Sequence, residues 1–386
     1  MNDFLKNILD SFKGIGNNKN QSVLGIDIGS SSIKVVQLKK KGARAVLETY
    51  GELSLGPYAK APVGSATALP LEKITEALKD LLTEKEVNIT SNVSGVAIPF
   101  SSSLMSVIEL PQVSMRELKD MIPLEARKYI PVPISEVTLD WSVIPKNEVA
   151  PNNDFESEPV NSLKFGIAKK TAMMDVLIVA IHNDTLRRYS DIANKNNLDV
   201  GFYEIEIFST MRSVLEKNLE PVMIFDMGAS STKLFIVERG VLKVSHTINR
   251  GAQNITASIS KSFGIPIDKA EIMKRNLGLT STTTEGVDIA KIGMFTLEYI
   301  FEEANRIIVG FEKKYNKNVS KVIMVGGGSA LKGLNDVAKK GFQNDVVSGD
   351  PFSKVVTPAF LEEILRQTGP QFAVAVGLAL RRLEEL

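Results

Sequence analysis

Two distant segments of the chain place an aspartate, a glycine and hydroxyl residues in the same order between apolar runs. They read GIDIGSSSIKVVQL and IFDMGASSTKLFIV, and they align without a gap. The turn after each aspartate lacks bulky side chains and exposes backbone N–H groups, an arrangement that binds phosphate oxygens. Carboxylates repel phosphate unless a cation lies between them, so we predict that Asp27 and Asp226 hold Mg²⁺ against a polyphosphate.

A run of three glycines follows a later apolar stretch, in VIMVGGGSALKGL. Its spacing matches neither GxxxxGK[ST] nor GxGxxG, the two glycine patterns of phosphate loops. Glycines at a turn from strand to helix instead leave room for a flat ligand against the backbone. We therefore predict that Gly326, Gly327 and Gly328 line the same site as the two aspartate turns.

The elements that must position these motifs are predicted as strands and helices of an α/β fold. Each aspartate turn connects two strand-like runs, so that two similar hairpins open two similar domains. Ser114 and Glu117 have the spacing of a capping box and predict a helix that Pro123 interrupts. Further helices are predicted at residues 252–262, 268–276 and about 289–315.

The composition is that of a soluble globular protein of two or three domains. The 386 residues carry 46 Lys and Arg against 45 Asp and Glu, a net charge of +1. This balance argues against nucleic-acid partners, because a phosphate backbone is bound by a clustered excess of positive charge. The sequence has no cysteine, which excludes disulfides and thiolate metal sites. No apolar run reaches the ~20 residues that span a bilayer, and we predict a cytoplasmic protein.

Two segments are predicted to stand apart from these domains. Residues 1–22 form a tail with one apolar helical face: Phe4, Leu5, Ile8, Leu9 and Phe12. Such a tail either binds a membrane surface, frays, or docks as a helix on its own domain. The polar stretch at residues 146–170 is typical of a long loop, because the strand-like run MMDVLIVAIH resumes directly after it.

The two hairpins, the GGG turn and the strand-to-helix segment EIEIFSTMRSVL resemble the actin-like ATPase superfamily. This resemblance implies an α/β fold of two RNase H-like domains around a nucleotide cleft, with ATP and Mg²⁺ as cofactors. It implies a first domain at residues 23–210 and a second at 211–386, whose last helix, about 370–386, closes back on the cleft. It also implies that Glu206 is the catalytic residue that orients water.

The same resemblance implies which residues contact the nucleotide. The two phosphate turns comprise Gly29, Ser30, Ser31, Ser32 and Lys34 in the first, and Gly228, Ala229, Ser230, Ser231 and Thr232 in the second. Adenosine is expected to contact Gly326, Gly327, Gly328 and Ser329, with Glu271 and Lys274 reaching adenine and ribose. Glu204 and Ser209 depart from the superfamily pattern, in which Asp and Ala are commoner at these positions.

Within the superfamily, the chain from Val23 onwards resembles the PilM family of type IV pilus assembly proteins, and EARKYIPVPISEVTLDW is the most specific match. The resemblance implies an FtsA-like inserted subdomain at about residues 93–175. It implies a cytoplasmic scaffold with slow ATP turnover, peripheral at the inner membrane and serving a type IV pilus or a related type II secretion system. The implied partners are the N-terminal peptide of a PilN-like membrane protein and other pilus assembly components, with self-association left open.

Two other functions of the same superfamily remain as alternatives. One is a filament-forming, FtsA-like division or cytoskeletal ATPase. For an FtsA-type protein we expect a C-terminal amphipathic membrane helix after a linker, whereas this sequence ends in LRRLEEL directly after its last predicted helix. The other is a small-molecule kinase, which needs a carboxylate base that faces a substrate pocket. The sequence contains no motif of the sugar kinases.

Overall fold

The computed structural model describes residues 21–144, 172–216, 220–279 and 289–386. Nearly all of the predicted tail and the predicted loop at 146–170 lie outside these ranges. The chain divides into two compact units, of which the smaller is Phe100–Arg187 and the larger contains the residues up to Pro99 together with Arg188–Leu386. Within the described ranges, no helix is both long enough and apolar enough to cross a bilayer.

The first sheet of the larger unit has six strands. They are β1 (Ser22–Ile28), β2 (Ser32–Lys41), β3 (Arg44–Ser54), β4 (Val93–Ile98), β8 (Asp199–Ile205) and β14 (Val355–Val356). Their order is β14-β3-β2-β1-β4-β8. The β1–β2 and β2–β3 pairs are antiparallel, whereas β4 runs parallel to both β1 and β8.

The second sheet repeats this pattern with five strands. They are β9 (Val222–Met227), β10 (Thr232–Glu238), β11 (Val241–Ile248), β12 (Lys321–Val325) and β13 (Asp345–Ser348), in the order β11-β10-β9-β12-β13. The β11–β10 and β10–β9 pairs are antiparallel, whereas β12 runs parallel to both β9 and β13. The repeat seen in the sequence is therefore a repeat of topology, and each aspartate turn joins the central strand of its sheet to the same antiparallel neighbour.

Helices cover the sheets. They are α1 (Leu71–Thr83), α2 (Met115–Ala126), α3 (Asn183–Lys195), α4 (Glu206–Val214), α5 (Ala252–Phe263), α6 (Ile267–Leu277), α7 (Ile289–Tyr315), α8 (Leu334–Gly341), α9 (Glu362–Thr368) and α10 (Ala373–Glu384). The three helices predicted at 252–262, 268–276 and 289–315 correspond to α5, α6 and α7. Side chains of α5 and α7 bury the second sheet, where Phe225, Phe301 and Phe342 meet at the centre of the core.

The last helix, α10, packs on the first sheet. Its buried side chains join Val23, Val36 and Leu38 in one apolar core. Two glycines bring backbones into direct contact: a Cβ on Gly25 would lie 1.9 Å from the Ala375 oxygen, and one on Gly377 would lie 1.9 Å from the Ser209 oxygen. The predicted grouping of this helix with residues 211–386 therefore differs from its packing, because α10 is apolar on nearly every face and is enclosed by β1 and α4.

The smaller unit is a three-stranded antiparallel sheet with one helix. Strands β5 (Ser103–Pro111), β6 (Val137–Ile144) and β7 (Met173–His182) have the order β5-β7-β6, and α2 packs on one face. The unit spans residues 100–187, whereas the sequence predicts an insert at about 93–175. The difference arises because β4 pairs with β1 and β8 in the first sheet, while β7 is the central strand of the smaller sheet.

The predicted capping box of α2 is confirmed, since the Ser114 hydroxyl accepts from the Glu117 N–H and the Glu117 carboxylate accepts from the Ser114 N–H. The predicted interruption at Pro123 is wrong, because α2 continues through it to Ala126. Pro123 removes one helical hydrogen bond. Buried Leu118 and Ile122, on the face that packs against the sheet, offset that loss.

Candidate functional site

The two aspartate turns have the same backbone conformation. In the first hairpin Asp27 lies opposite Lys34, and in the second Asp226 lies opposite Lys233. The Gly29 N–H donates to the Ser32 oxygen over 3.0 Å. The corresponding bond in the second turn runs from the N–H of Gly228 to the oxygen of Ser231 over 2.9 Å. Position by position, the structure supports the equivalence that the sequence alignment predicts.

In the first turn, the backbone carbonyl oxygens of Ser30 and Ser31 accept hydrogen bonds from other parts of the protein. The Ser30 oxygen accepts from the Thr67 N–H over 2.8 Å, and the Ser31 oxygen accepts from the Leu55 N–H over 2.9 Å. The N–H groups of Ser30 and Ser31 have no acceptor among the described residues. The turn therefore presents donors without competing acceptors, as an anion site requires.

The second turn is backed by the N-terminus of α5. The Gly228 and Ala229 oxygens each accept over 3.0 Å, from the N–H groups of Ala252 and Gln253 respectively. Gly251 lets the helix approach, because a Cβ there would lie 2.6 Å from the Gly228 and Ala229 oxygens. Within the described ranges the N–H groups of Ala229 and Ser230 have no acceptor, so this turn too offers free donors.

The structure brings the three glycine-containing motifs together. The hydroxyl oxygens of Ser30 and Ser230 lie 3.4 Å apart. Gly326 has a φ of +86°, and a Cβ on it would lie 2.2 Å from a carboxylate oxygen of Asp226, so a larger residue would collide there. Gly327 has nothing within 4 Å of its Cβ position. The predicted role of this turn, to leave room for a flat ligand against the backbone, stays a prediction.

Carboxylates and ammonium groups alternate around the turns. The Lys233 ammonium lies 2.7 Å from a Glu206 oxygen and 3.8 Å from an Asp226 oxygen. Lys34 donates to the Ser32 hydroxyl over 2.7 Å and lies 3.2 Å from Glu52. Burial alone would lower the pKa of Lys233, but Glu206 and Asp226 outweigh it and raise that pKa above its ordinary value. Glu206 thus lies beside the second turn, with its charge compensated by a lysine.

Burial disfavours the charged form of both aspartates. It raises the pKa of Asp27 to about 6, with Lys34 opposing the rise and Glu206 adding to it. Burial also raises the pKa of Asp226, only partly opposed by Lys233. No three His, Cys, Asp or Glu side chains of the described residues converge as a complete metal site. A Mg²⁺ ion would therefore be held by the two aspartates together with ligand phosphates and water.

A pH dependence of stability follows from the raised pKa of Asp27. The folded protein holds this proton more tightly than the unfolded chain, so stability falls as the pH rises through about 6. Between pH 5 and 7.5 the wild-type protein is expected to lose about 1 kcal/mol relative to Asp27→Asn, which carries no charge. Urea unfolding at both pH values measures this difference. If the two proteins differ in stability by the same amount at both pH values, Asp27 does not have a raised pKa. Asp345→Asn, at an exposed position of β13, is the control.

Glu271 and Lys274 lie on α6 and are tied to each other. The Glu271 carboxylate lies 2.7 Å from the ammonium of Lys274 and accepts from the Thr256 hydroxyl over 2.6 Å. Lys274 also donates to the Ala252 oxygen over 3.3 Å, at the start of the helix that backs the second turn. Both side chains are thus adjacent to the site but already hydrogen-bonded within the protein, and their predicted contact with adenine and ribose stays a prediction.

Glu204 and Ser209, the two residues that depart from the superfamily pattern, are hydrogen-bonded to each other. The Ser209 hydroxyl donates to the Glu204 carboxylate, which also accepts from Arg212 over 2.7 Å and from Arg381 over 2.8 Å. Burial alone would raise the pKa of Glu204, but the arginines outweigh it and hold that pKa below its ordinary value. This network of hydrogen bonds and ion pairs connects β8, α4 and α10 through Glu204, which precedes Glu206 by two residues.

Sequence reasoning missed two residues of the site. Glu52 is the ion-pair partner of Lys34, and Tyr189 is buried close enough to Asp27 and Glu206 that burial and their charges raise its pKa. The Glu52 position could have been found from the hairpin alone, because it lies directly opposite Lys34 between β2 and β3. Tyr189 comes from α3, and only the tertiary fold brings it to the site.

Two duplicated sheets, with matched phosphate-type turns at their centres, define the class of the actin-like ATPase fold. The chain belongs to the family of the type IV pilus assembly protein PilM, whose family model matches residues 25–157 and 161–383. The predicted family and fold are thereby confirmed.

Solved structures and sequence relatives agree with this fold. The "PilM-PilN type IV pilus biogenesis complex" superposes with a TM-score of 0.73 at 22% identity, covering 94% of this chain and 98% of that chain. The ethanolamine utilization protein EutJ from Carboxydothermus hydrogenoformans gives a TM-score of 0.50 at 13% identity, covering 93% and 89%. The cell division protein FtsA of Bacillus subtilis is 21% identical over 94% of this chain and 83% of its own length.

Proposed function

We propose that this protein is an ATP-binding scaffold of the inner-membrane complex that assembles type IV pili or a related type II secretion system. It binds Mg-ATP between its two aspartate turns and holds the cytoplasmic N-terminal peptide of a PilN-like membrane protein. It is cytoplasmic and reaches the inner membrane through that partner. The observation that carries the nucleotide site is the pair of turns with free N–H groups, each beside a half-buried aspartate whose pKa is raised by burial.

The chemistry of the site favours binding over rapid turnover. Asp27 and Asp226 would hold Mg²⁺, whose charge would offset the repulsion between their carboxylates and the phosphates. Glu206 is the residue proposed to orient water, yet its carboxylate is held by Lys233 over 2.7 Å. A carboxylate that a lysine holds must give up that contact before it can orient a water molecule, so we expect slow hydrolysis, which suits a protein whose role is to hold partners.

The smaller unit offers a surface for the partner peptide. The face of its sheet opposite α2 carries an apolar stripe formed by Met105, Val107, Leu177, Val179 and Ile181, as the strand register shows. Val107 is 44% exposed. An extended peptide binds such a surface through its main chain and through side-chain pockets. We assign the PilN-like peptide to this stripe, and the PilM–PilN complex among the structural relatives supports a partner of that kind.

Peptide binding tests the proposal. The fluorescently labelled N-terminal peptide of the PilN-like protein from the same organism is titrated with the full chain, and anisotropy reports the affinity. Val107→Asp is expected to weaken binding about tenfold or more, because a charge in the stripe must be desolvated. Met115→Asp is the matched control, since Met115 is 60% exposed but lies on α2.

Two results would count against the proposed surface. One is wild-type affinity in Val107→Asp, and the other is an equal loss in the Met115→Asp control. Circular dichroism of both variants confirms that they are folded. Transfer of the γ-phosphate of ATP to a metabolite, or nucleotide-dependent filaments seen by electron microscopy, would instead favour the kinase or the FtsA-like alternative.

A further inference from the structure

A segment that we call the strap, residues 61–69, connects β3 to α1 and is bound to the first phosphate turn. Thr67 donates its N–H to the Ser30 oxygen over 2.8 Å, and its hydroxyl lies 3.3 Å from the same oxygen. Arg188 donates to the Leu69 oxygen over 2.6 Å. One end of the strap is thus anchored beside the first sheet.

The strap also contacts the helices that pack with the second sheet. The Ala66 N–H donates to the side-chain oxygen of Gln253, on α5, over 3.2 Å. Gly64 has a φ of +85°, and a Cβ there would lie 2.5 Å from a carboxylate oxygen of Glu271, on α6. No other residue type fits this position without a shift, so the close approach depends on glycine.

Gln253 contacts both the second aspartate turn and the strap. Its backbone N–H holds the Ala229 oxygen of the second turn, and its side-chain oxygen holds Ala66. The next residue, Thr67, holds the Ser30 oxygen of the first turn. Three hydrogen bonds therefore connect one aspartate turn to the other through a single residue, Gln253, of which one is made by its side chain.

The gap between the turns is narrow. The Ser30 and Ser230 hydroxyl oxygens lie 3.4 Å apart, so a phosphate group cannot pass between them while they stay in place. Any separation of the turns stretches the connection through Gln253. A nucleotide whose phosphates pass between the two turns must therefore open this connection.

We propose that Gln253 is a positioning residue that latches the two phosphate turns together through the strap and so limits the rate of nucleotide exchange. This inference rests on the proposed nucleotide site. Gln253 acts through Ala66 and Thr67 on the turns. Its acceptor oxygen is the feature that matters, so the shape of the side chain and its hydrogen-bonding capacity can be tested separately.

Stopped-flow binding and chase of Mg-bound fluorescent mant-ADP provide the test. Gln253→Met keeps the length of the side chain but lacks the acceptor, and it is expected to release mant-ADP about fivefold faster, with association no slower than wild type. Gln253→Glu keeps an acceptor and is expected to behave as wild type. Gln367→Met, on exposed α9, is the matched control. Gly64→Ala loosens the strap from its other end and should also speed release.

The result that overturns the latch is equal release rates in wild type and Gln253→Met, or equally fast release in the Met and Glu variants. Loss of association in Gln253→Met would indicate plain structural damage and would also overturn it. Hydrogen exchange of the Ala66 amide, without nucleotide, is the second measurement. We expect exchange about fivefold faster in Gln253→Met than in wild type.

The exchange measurement separates the two hypotheses. If wild type fails to bind mant-ADP, the proposed nucleotide site is wrong, while the Ala66 amide still reports whether Gln253 holds the strap. If wild type binds and the Ala66 amide exchanges equally in all variants, the latch is wrong and the nucleotide site stands.

Discussion

Replacing Asp226 with alanine is expected to weaken Mg-ATP binding by at least about tenfold and to abolish the effect of Mg²⁺ on that binding. The carboxylate is half-buried beside the second aspartate turn, and burial raises its pKa against the partial opposition of Lys233 at 3.8 Å, so a cation would stabilise its charged form. Without it, the phosphate charge is no longer bridged on that side. Isothermal calorimetry with ATP, in Mg²⁺ and in EDTA, measures both effects.

Asp27→Ala is expected to weaken Mg-ATP binding in the same way, because Asp27 occupies the equivalent position in the first hairpin. Asp345→Ala, an exposed aspartate of the same unit, is the control and should bind as wild type. Unchanged Mg-ATP affinity in both hairpin variants would show that the nucleotide site is assigned wrongly. A loss in one variant only would place the cation nearer to that turn.

Gly377→Ala is expected to lower the free energy of unfolding by about 3 kcal/mol. A Cβ at this position would lie 1.9 Å from the Ser209 oxygen and 2.5 Å from its carbonyl carbon, so α10 and α4 must move apart. That shift strains the core that α10 shares with the first sheet. Urea unfolding followed by circular dichroism measures the loss.

Gly310→Ala is the matched control, since Gly310 also lies inside a helix but has nothing within 4 Å of its Cβ position. Alanine has the higher helix propensity, so this variant is expected to gain about 0.5–1 kcal/mol. Opposite signs for the two substitutions would confirm that contact, and not helix propensity, determines the effect at Gly377. A Gly377→Ala protein as stable as wild type would contradict the close packing of the two helices.

The conformation of the two aspartate turns was predictable because it is local. The hydrogen bond from Gly29 to Ser32 closes within one turn, and its counterpart from Gly228 to Ser231 does the same, so an alignment of short segments captures both. Helix α7 was equally predictable, since its long apolar stripe buries residues such as Leu297 and Phe301 along one face.

The missed features depend on contacts between residues far apart in the chain. Gln253 bonds to Ala66, and Arg381 bonds to Glu204, and no local pattern indicates either partner. The bounds of the smaller unit differ from the prediction for the same reason, since only pairing with β1 shows that β4 belongs to the first sheet. At Pro123 the local pattern is clear but its prediction is wrong. Proline disfavours the interior of a helix, yet the helix continues through it because Leu118 and Ile122 are buried against the sheet.

The packing of α10 on the first sheet has a consequence for synthesis. Strands β1, β2 and β3 emerge early, but the helix that buries their apolar face is residues 373–384. At about 5–20 residues per second, translation of the roughly 320 residues between them takes on the order of 15–65 s. During that time Val23, Val36 and Leu38 lack their final cover. The nascent chain therefore exposes this apolar face until late in synthesis, and its first sheet is completed only after the second has been made.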